Sequence, residues 1–383
     1  MASPKDWAWM RKKKILIVGP AYPLRGGLAT YDERLCREFL AMGHNCEILS
    51  FSLQYPKILF PGKTQFSSDP KPQDLVIHSE VNSVNPFNWL AVGNKYAKGK
   101  YDLVIFRYWM SFMAPAFGTI ARALRKSGAR VIAITDNIVP HEKRFFDTAF
   151  TNYFLNSCDG FLSMSKEVQQ QAQALQPNKK VAYVAHPMYD MFGLAIDKKA
   201  AKEKLGLDAD THYLLFFGFI RKYKGLNLLL NSFALLDRQK LKVKLIVAGE
   251  FYEPSEPYLA QIKSLGLEQD VVLKTDFIPN PEVASYFSAA DMVVQTYISA
   301  TQSGVTQIAY YYNKPMLVTD VGGLAELVPN GKVGYVCEQD SRQIAGSIQA
   351  FYEHKLESQF AAGVAQEKAK FTWSYLVEQL FAI

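Results

Sequence analysis

The sequence predicts an α/β protein built from two Rossmann-like halves joined near residue 190. Two observations predict it. Short apolar runs recur along the chain, several of them followed by a glycine turn and then by helical apolar spacing. The strand–helix series also restarts after His186-Pro187-Met188-Tyr189-Asp190-Met191-Phe192, which reads as a linker. Length agrees, since 383 residues exceed one comfortable core and suit two domains of roughly 150–200 residues. The cleft between two such domains is the expected ligand site.

Composition narrows the function. Hydrophobic residues make up 49% and charged residues 21%, the balance of an ordinary soluble globular chain. The net charge of +7, from 43 basic and 36 acidic residues, favours a polyanionic or membrane-surface partner. Zinc-finger spacing, an RNP-like strand and a long basic helix are all missing, so nucleic acid is not expected. Cys36, Cys46, Cys158 and Cys337 form no C-x-x-C pair, and reduced cytosolic thiols are expected. No apolar run reaches the roughly 18 residues of a transmembrane helix. Trp7-Ala8-Trp9-Met10 precedes Arg11-Lys12-Lys13-Lys14, the wrong order for a signal peptide. The pairing fits a lipid headgroup surface or a terminus leading into the first strand; both readings stay open.

Lys14 to Gly19 reads as a first buried parallel strand, running into Pro20 to Gly27 and a helix from Leu28 to Met42. G-x-G-x-x-G is absent, which disfavours a nicotinamide enzyme. Gly26-Gly27 still lets the backbone approach a ligand closely. Cys46 to Phe51 is the second strand, and Gln54 to Pro72 a long irregular loop. Strands follow at Leu103–Phe106 and Val131–Ile134, separated by a helix expected over Trp109 to Leu124. Past the second of these come Asp136 and His141, where parallel sheets bind ligands; they are the acid/base or hydroxyl-orienting candidates, with Lys143-Arg144 extending a basic rim. Gly160–Met164 and Val181–Tyr183 complete the strands of this half.

In the second half the spacing predicts a helix over Lys198–Leu205 and a strand over Tyr213–Phe217, turning at Gly218 into a helix over Leu226–Leu236. Strands are expected at Val243–Ala248, Val271–Leu273, Met292–Gln295 and Met316–Val318. Two strands of one parallel sheet end at the same edge. Arg221 and Lys224 after the first strand, and Thr301 to Gly304 after the later one, are therefore expected to face one diphosphate. At Gly304 the loop becomes a helix, Val305 to Tyr312, so backbone N–H groups and the positive helix end converge with the Thr301 and Ser303 hydroxyls. Asp208-Ala209-Asp210 has the form of a metal-binding D-x-D, but its place at a helix exit makes the acids turn residues. No required metal is expected.

Taken in order, these motifs resemble family 4 glycosyltransferases of the GT-B fold over nearly the whole chain. The resemblance rests on Gly26-Gly27, Gly218…Arg221…Lys224-Gly225, Val247-Ala248-Gly249, Asn313 to Thr319, Val321 to Val328 and Gly331-Lys332-Val333-Gly334. Phe371-Thr372-Trp373-Ser374 and the apolar helix after it look like the family's last helix, which crosses back to the N-terminal domain. The resemblance implies two Rossmann-like domains facing a central cleft. Residues 1–190 would bind the acceptor, 191–365 the nucleotide-sugar, and 366–383 would brace the first domain. It implies retaining transfer of a sugar from a nucleotide-diphosphate sugar to an acceptor hydroxyl in cell-surface glycan synthesis. The acceptor would be a glycan or a lipid-linked one, and a UDP-sugar is favoured over a GDP-sugar.

The resemblance places Gly26, Gly27, Gly218, Arg221, Lys224, Gly249, Ile278, Thr301, Gln302, Ser303, Gly304 and Gln307 at the donor. Asp136, His141, Arg221 and Lys224 take the catalytic positions. No cofactor is implied. The chain is expected in the cytoplasm, with peripheral contact at the inner membrane face as an open reading. Two departures stand out. The family's paired glutamates fall at Ala300 and Ile308, leaving Gln302 or Gln307 as neutral substitutes, and the family's histidine falls at Asp136. These losses keep open a nucleotide-sugar-binding or glycan-binding pseudoenzyme of the same fold.

Overall fold

The computed structural model describes residues 11–56, 65–67, 70–138, 147–300 and 303–383. Its first apolar run is β1 (Lys14–Val18), followed by α1 (Gly27–Ala41), β2 (Asn45–Leu53), β3 (Ile77–Asn82) and α2 (Pro86–Ala97). Next come β4 (Leu103–Tyr108), α3 (Ala114–Lys126), β5 (Arg130–Thr135) and α4 (Asp147–Leu155). β6 (Gly160–Ser163), α5 (Lys166–Leu175) and β7 (Lys180–Tyr183) complete a seven-stranded sheet, ordered β3-β2-β1-β4-β5-β6-β7, with every pairing parallel. Both faces of the sheet are covered, which is why the central strands read as continuous apolar runs.

One expectation needed correction. The helix expected from Trp109 begins only at Ala114, after a 3₁₀ turn over Ser111–Met113. Pro115 lacks an N–H and fits only the first turn, so it sets the start of the α-helix.

The second unit opens with α6 (Lys198–Lys204), β8 (His212–Phe217), α7 (Leu226–Ala234) and α8 (Arg238–Leu241). It continues through β9 (Val243–Ala248), α9 (Glu256–Ser264), β10 (Val271–Lys274), α10 (Asn280–Ala289) and β11 (Met292–Gln295). Then follow α11 (Gly304–Tyr311), β12 (Met316–Thr319), α12 (Leu324–Leu327), β13 (Gly334–Cys337), α13 (Ser341–Glu353) and α14 (Glu357–Glu367). Its six-stranded parallel sheet runs β10-β9-β8-β11-β12-β13. Asp208 acts as a turn acceptor here, taking the Asp210 N–H at 3.0 Å and the Thr211 hydroxyl at 2.9 Å.

The two units divide at Ala185/His186 and again at Thr372/Trp373. The last helix, α15 (Trp373–Ala382), therefore belongs with the first sheet. It buries Trp373, Leu376, Val377 and Leu380, one face of a helix, against the α1 side of that sheet. The Trp373 ring lies 4.8 Å from that of Tyr31, the Arg34 guanidinium stands 5.1 Å over it, and Lys180 Nζ donates to the Ala382 carbonyl at 2.6 Å. No helix among the described residues is long and apolar enough to cross a membrane.

Candidate functional site

In the second unit the loops after β8, β9, β10 and β11 meet at the C-terminal edge of the sheet and enclose a cavity of about 370 Å³. Gly218, Phe219, Tyr223 and Lys224 line it from β8, Gly249 and Glu250 from β9, and Phe277 and Ile278 from β10. Tyr297, Ser303 and Gly304 line it from the β11–α11 turn. The size falls in the range of small-molecule sites.

Backbone contacts fix these loops to one another. Gly249 has φ +140°, and a Cβ there would stand 2.3 Å from the Gly218 carbonyl oxygen, so only glycine lets the β8 and β9 ends approach this closely. Ile220 N–H donates to the Glu250 carbonyl at 2.8 Å, and Tyr252 N–H returns to that of Ile220 at 3.0 Å. On the other side the Thr296 hydroxyl donates to the Gly225 carbonyl at 2.9 Å, and Ile298 N–H to that of Tyr223 at 2.7 Å. The cationic loop is thus tied to β9 and to the segment leading into α11.

The start of α11 stands on a buried polar cluster. Ser303 is the N-cap, yet its hydroxyl turns away from the helix and donates to Gln295 Oε1 at 2.7 Å. Thr306 donates to the same oxygen at 3.1 Å. Among the described residues no side chain caps the first amides of α11, at the positive end of the helix. A Cβ added at Gly304 would come within 3.1 Å of the Tyr189 ring, so glycine keeps this end open.

Lys224 is 8% exposed, and its ammonium has no hydrogen-bond or ion-pair partner among the described residues. It lies against Gly218, 2.8 Å from where a Cβ would be, and 5.7 Å from the centre of the Tyr297 ring. Burial, aided by the nearby positive charge of Arg221, lowers its pKa to about 8. A buried, unpaired cation beside a free helix N-terminus is suited to a polyanion.

Other expected residues are placed differently. Arg221 does not line the cavity; it is exposed, and its guanidinium stands 4.8 Å over the ring of Tyr252, which packs 4.2 Å from Phe219. Gln307 is 1% exposed, outside the cavity lining, with neither amide atom paired among the described residues. Ile308 forms part of the wall, so one position of the missing glutamates is an apolar surface. Thr301 and Gln302 lie outside the described residues, as do His141, Lys143-Arg144, Trp7 and Trp9. Sequence reasoning passed over Glu250, although it directly follows the Val247-Ala248-Gly249 run at a strand's C-terminal end.

In the first unit, Gly26 is the N-cap of α1 and Gly27 its first residue, both with open space where a Cβ would be. Asp136 is held by Arg107, a residue on β4 that the sequence reading did not single out, through two bonds of 2.7 Å. Burial keeps the Asp136 carboxyl above its ordinary pKa even so, with the guanidinium opposing. Arg107 is 3% exposed and stands 3.8 Å over the Tyr31 ring. Beside it Asp32 is 1% exposed, and neither carboxyl oxygen has a hydrogen-bond partner among the described residues.

Burial, partly offset by Arg107, raises the Asp32 pKa well above the ordinary value. The folded chain therefore keeps a proton that the unfolded chain releases. The stability this group contributes is complete below the ordinary carboxylate pKa and is lost as pH rises through the folded value. Asp32→Asn is expected to leave the melting temperature unchanged near pH 4 and raise it by about 2 °C or more at pH 8. Equal shifts at both pH values in thermal melts would refute this account of Asp32.

Residues 197–367, which carry all the cavity-lining loops that follow the sheet strands, match the family model described as "Glycosyl transferases group 1". Solved structures share the architecture over almost the full length. The Anabaena protein HepE in complex with UDP matches with a TM-score of 0.68 at 17% identity, over 97% of this chain and 100% of that one. HepE has also been solved with UDP-glucose. The chain has the GT-B fold, and its residues 197–367 carry a glycosyl transferases group 1 domain. The lipopolysaccharide outer core galactosyltransferase WaaB matches this chain with a TM-score of 0.67 at 14% identity, over 96% of this chain and 99% of that one. By sequence, the D-inositol 3-phosphate glycosyltransferase of Pseudarthrobacter chlorophenolicus is 24% identical over 297 residues, 73% of this chain and 67% of that one.

Proposed function

We propose that the unit from His186 to Thr372 binds a nucleotide-diphosphate sugar and that the enzyme transfers the sugar, with retention, to an acceptor hydroxyl. The observation that carries this reading is Lys224, buried and unpaired at the cavity beside the open N-terminus of α11. When the C1–O bond to the diphosphate breaks, its electron pair leaves on the phosphate oxygen. Lys224 and the α11 amides face that developing charge, and no metal is required for it. The sugar carbon becomes oxocarbenium-like, the acceptor oxygen bonds on the face just vacated, and the departing phosphate oxygen takes the acceptor proton.

Strand order gives the donor a direction. With the diphosphate between the β8 and β11 loops, the nucleoside extends toward β9 and β10, where Phe277 and Ile278 line the wall. HepE, solved with UDP and UDP-glucose, supports a uridine donor. WaaB supports a cell-surface glycan as product, with a glycan or lipid-linked acceptor met by the first unit.

The test is release of nucleoside diphosphate from a panel of UDP- and GDP-sugars in excess EDTA. Turnover is expected with at least one donor, unchanged by the chelator. A chain that binds a donor yet turns none over, with any acceptor supplied, would instead be the pseudoenzyme. Ala300 and Ile308 at the family's glutamate positions are the observation favouring that second reading.

A further inference from the structure

We propose that Glu250 binds the ribose 2′,3′-diol of the donor. The inference rests on the nucleotide-sugar reading and gives that site its polarity. Among the residues lining the cavity, Glu250 is the single acid, as Lys224 is the single base. Glu250 is an exposed residue of the cavity lining, and its carboxylate has no hydrogen-bond or ion-pair partner among the described residues. An acid left unpaired in a site for a polyanion works against binding unless it meets hydroxyl donors. A vicinal diol is the natural match, because each carboxylate oxygen accepts one hydroxyl.

Spacing separates the acid from the phosphates. The loops follow the strand order β10-β9-β8-β11, and neighbouring strands stand about 4.8 Å apart. Glu250, at the end of β9, is one strand step from Gly218 and two from the α11 turn. A diphosphate on Lys224 and Gly304 therefore keeps its charge away from Glu250, while the attached ribose arrives beside it. The next step, at β10, brings Phe277 and Ile278 to the base. The ribose has no acid to meet on the α11 side, where Val305 and Ile308 form the wall. Glu250 is held in place by its own backbone, since its carbonyl accepts from Ile220 N–H at 2.8 Å and Gly249 packs on Gly218.

The experiment compares UDP, 2′-deoxy-UDP and inorganic pyrophosphate by calorimetric titration on the wild type, Glu250→Gln and Glu250→Ala, with GDP and 2′-deoxy-GDP replacing the uridine pair if GDP binds more tightly. Two charge-assisted hydrogen bonds predict about tenfold to hundredfold weaker ribonucleotide binding in Glu250→Ala. Glu250→Gln falls between. Wild type is expected to lose a similar factor for the 2′-deoxy ligand, which then becomes nearly insensitive to the mutation. Pyrophosphate is expected to bind the variants as well as, or better than, wild type. Equal weakening of ribo- and deoxy-ligands, or no change in Glu250→Ala, overturns the assignment while leaving the donor reading intact. Failure of the wild type to bind either ribonucleotide sinks both.

Discussion

Replacing Lys224 with methionine is expected to cut turnover about a hundredfold or more, the usual cost of losing one group that stabilises a departing anion, while making the unliganded protein more stable. The second half follows from burial. Below pH 8 the lysine is charged in both the folded and unfolded chain, and the folded chain bears the full desolvation penalty. Between pH 8 and the ordinary lysine value of 10.5, the folded chain gives up a proton that the unfolded chain keeps, so stability rises with pH. The displacement from 10.5 to about 8 corresponds to a penalty on the order of 3 kcal/mol. The methionine variant should melt several degrees higher at pH 7 and lose the alkaline rise. In the wild type, diphosphate binding should weaken as pH climbs past 8. Melts from pH 6 to 10, with and without UDP, measure all three. A variant of unchanged activity, or one less stable than wild type, would remove Lys224 from the role given to it.

Arg107→Met is expected to destabilise the first sheet by about 3–5 kcal/mol, the usual cost of breaking a buried ion pair from one side. Its guanidinium is 3% exposed and pairs with the Asp136 carboxylate at 2.7 Å. Asp136→Asn should cost less, because the guanidinium retains the Tyr31 face. Arg107→Met/Asp136→Asn should recover part of the loss, so that a double-mutant cycle in urea gives a coupling well above 0.5 kcal/mol. Turnover of Asp136→Asn is the informative companion. If it falls in proportion to the folded fraction, Asp136 is structural; a much larger fall would return it to the acceptor chemistry.

The strands buried on both faces were legible because burial there leaves unbroken apolar runs, such as Ile15-Leu16-Ile17-Val18 and Leu245-Ile246-Val247-Ala248. The edge strand β3 was missed: Ile77-His78-Ser79-Glu80-Val81-Asn82 is half exposed and pairs with β2 through register shifts, so neither alternation nor an apolar run marks it. β13, Gly334-Tyr335-Val336-Cys337, was missed because it opens on a glycine and its two central residues are only half buried. At the site, Gly218, Gly249 and Gly304 could be read because close backbone approach restricts the residue type. Arg221 could not. Sequence places a guanidinium on a loop, whereas the ring of Tyr252, a residue of the β9 loop, decides where it turns. Glu250 and Arg107 share that difficulty, since a charge acquires its meaning from neighbours that are distant along the chain.

The placement of α15 has a consequence for how the molecule is made. Tyr31 and Phe39 of α1 share one apolar cluster with Trp373, Leu376 and Val377, so the α1 side of the first sheet acquires the rest of its cover only after everything from His186 to Thr372 has been synthesised. Until then that face is only partly covered and open to wrong partners, while the intervening unit has all of its own residues and is free to fold first.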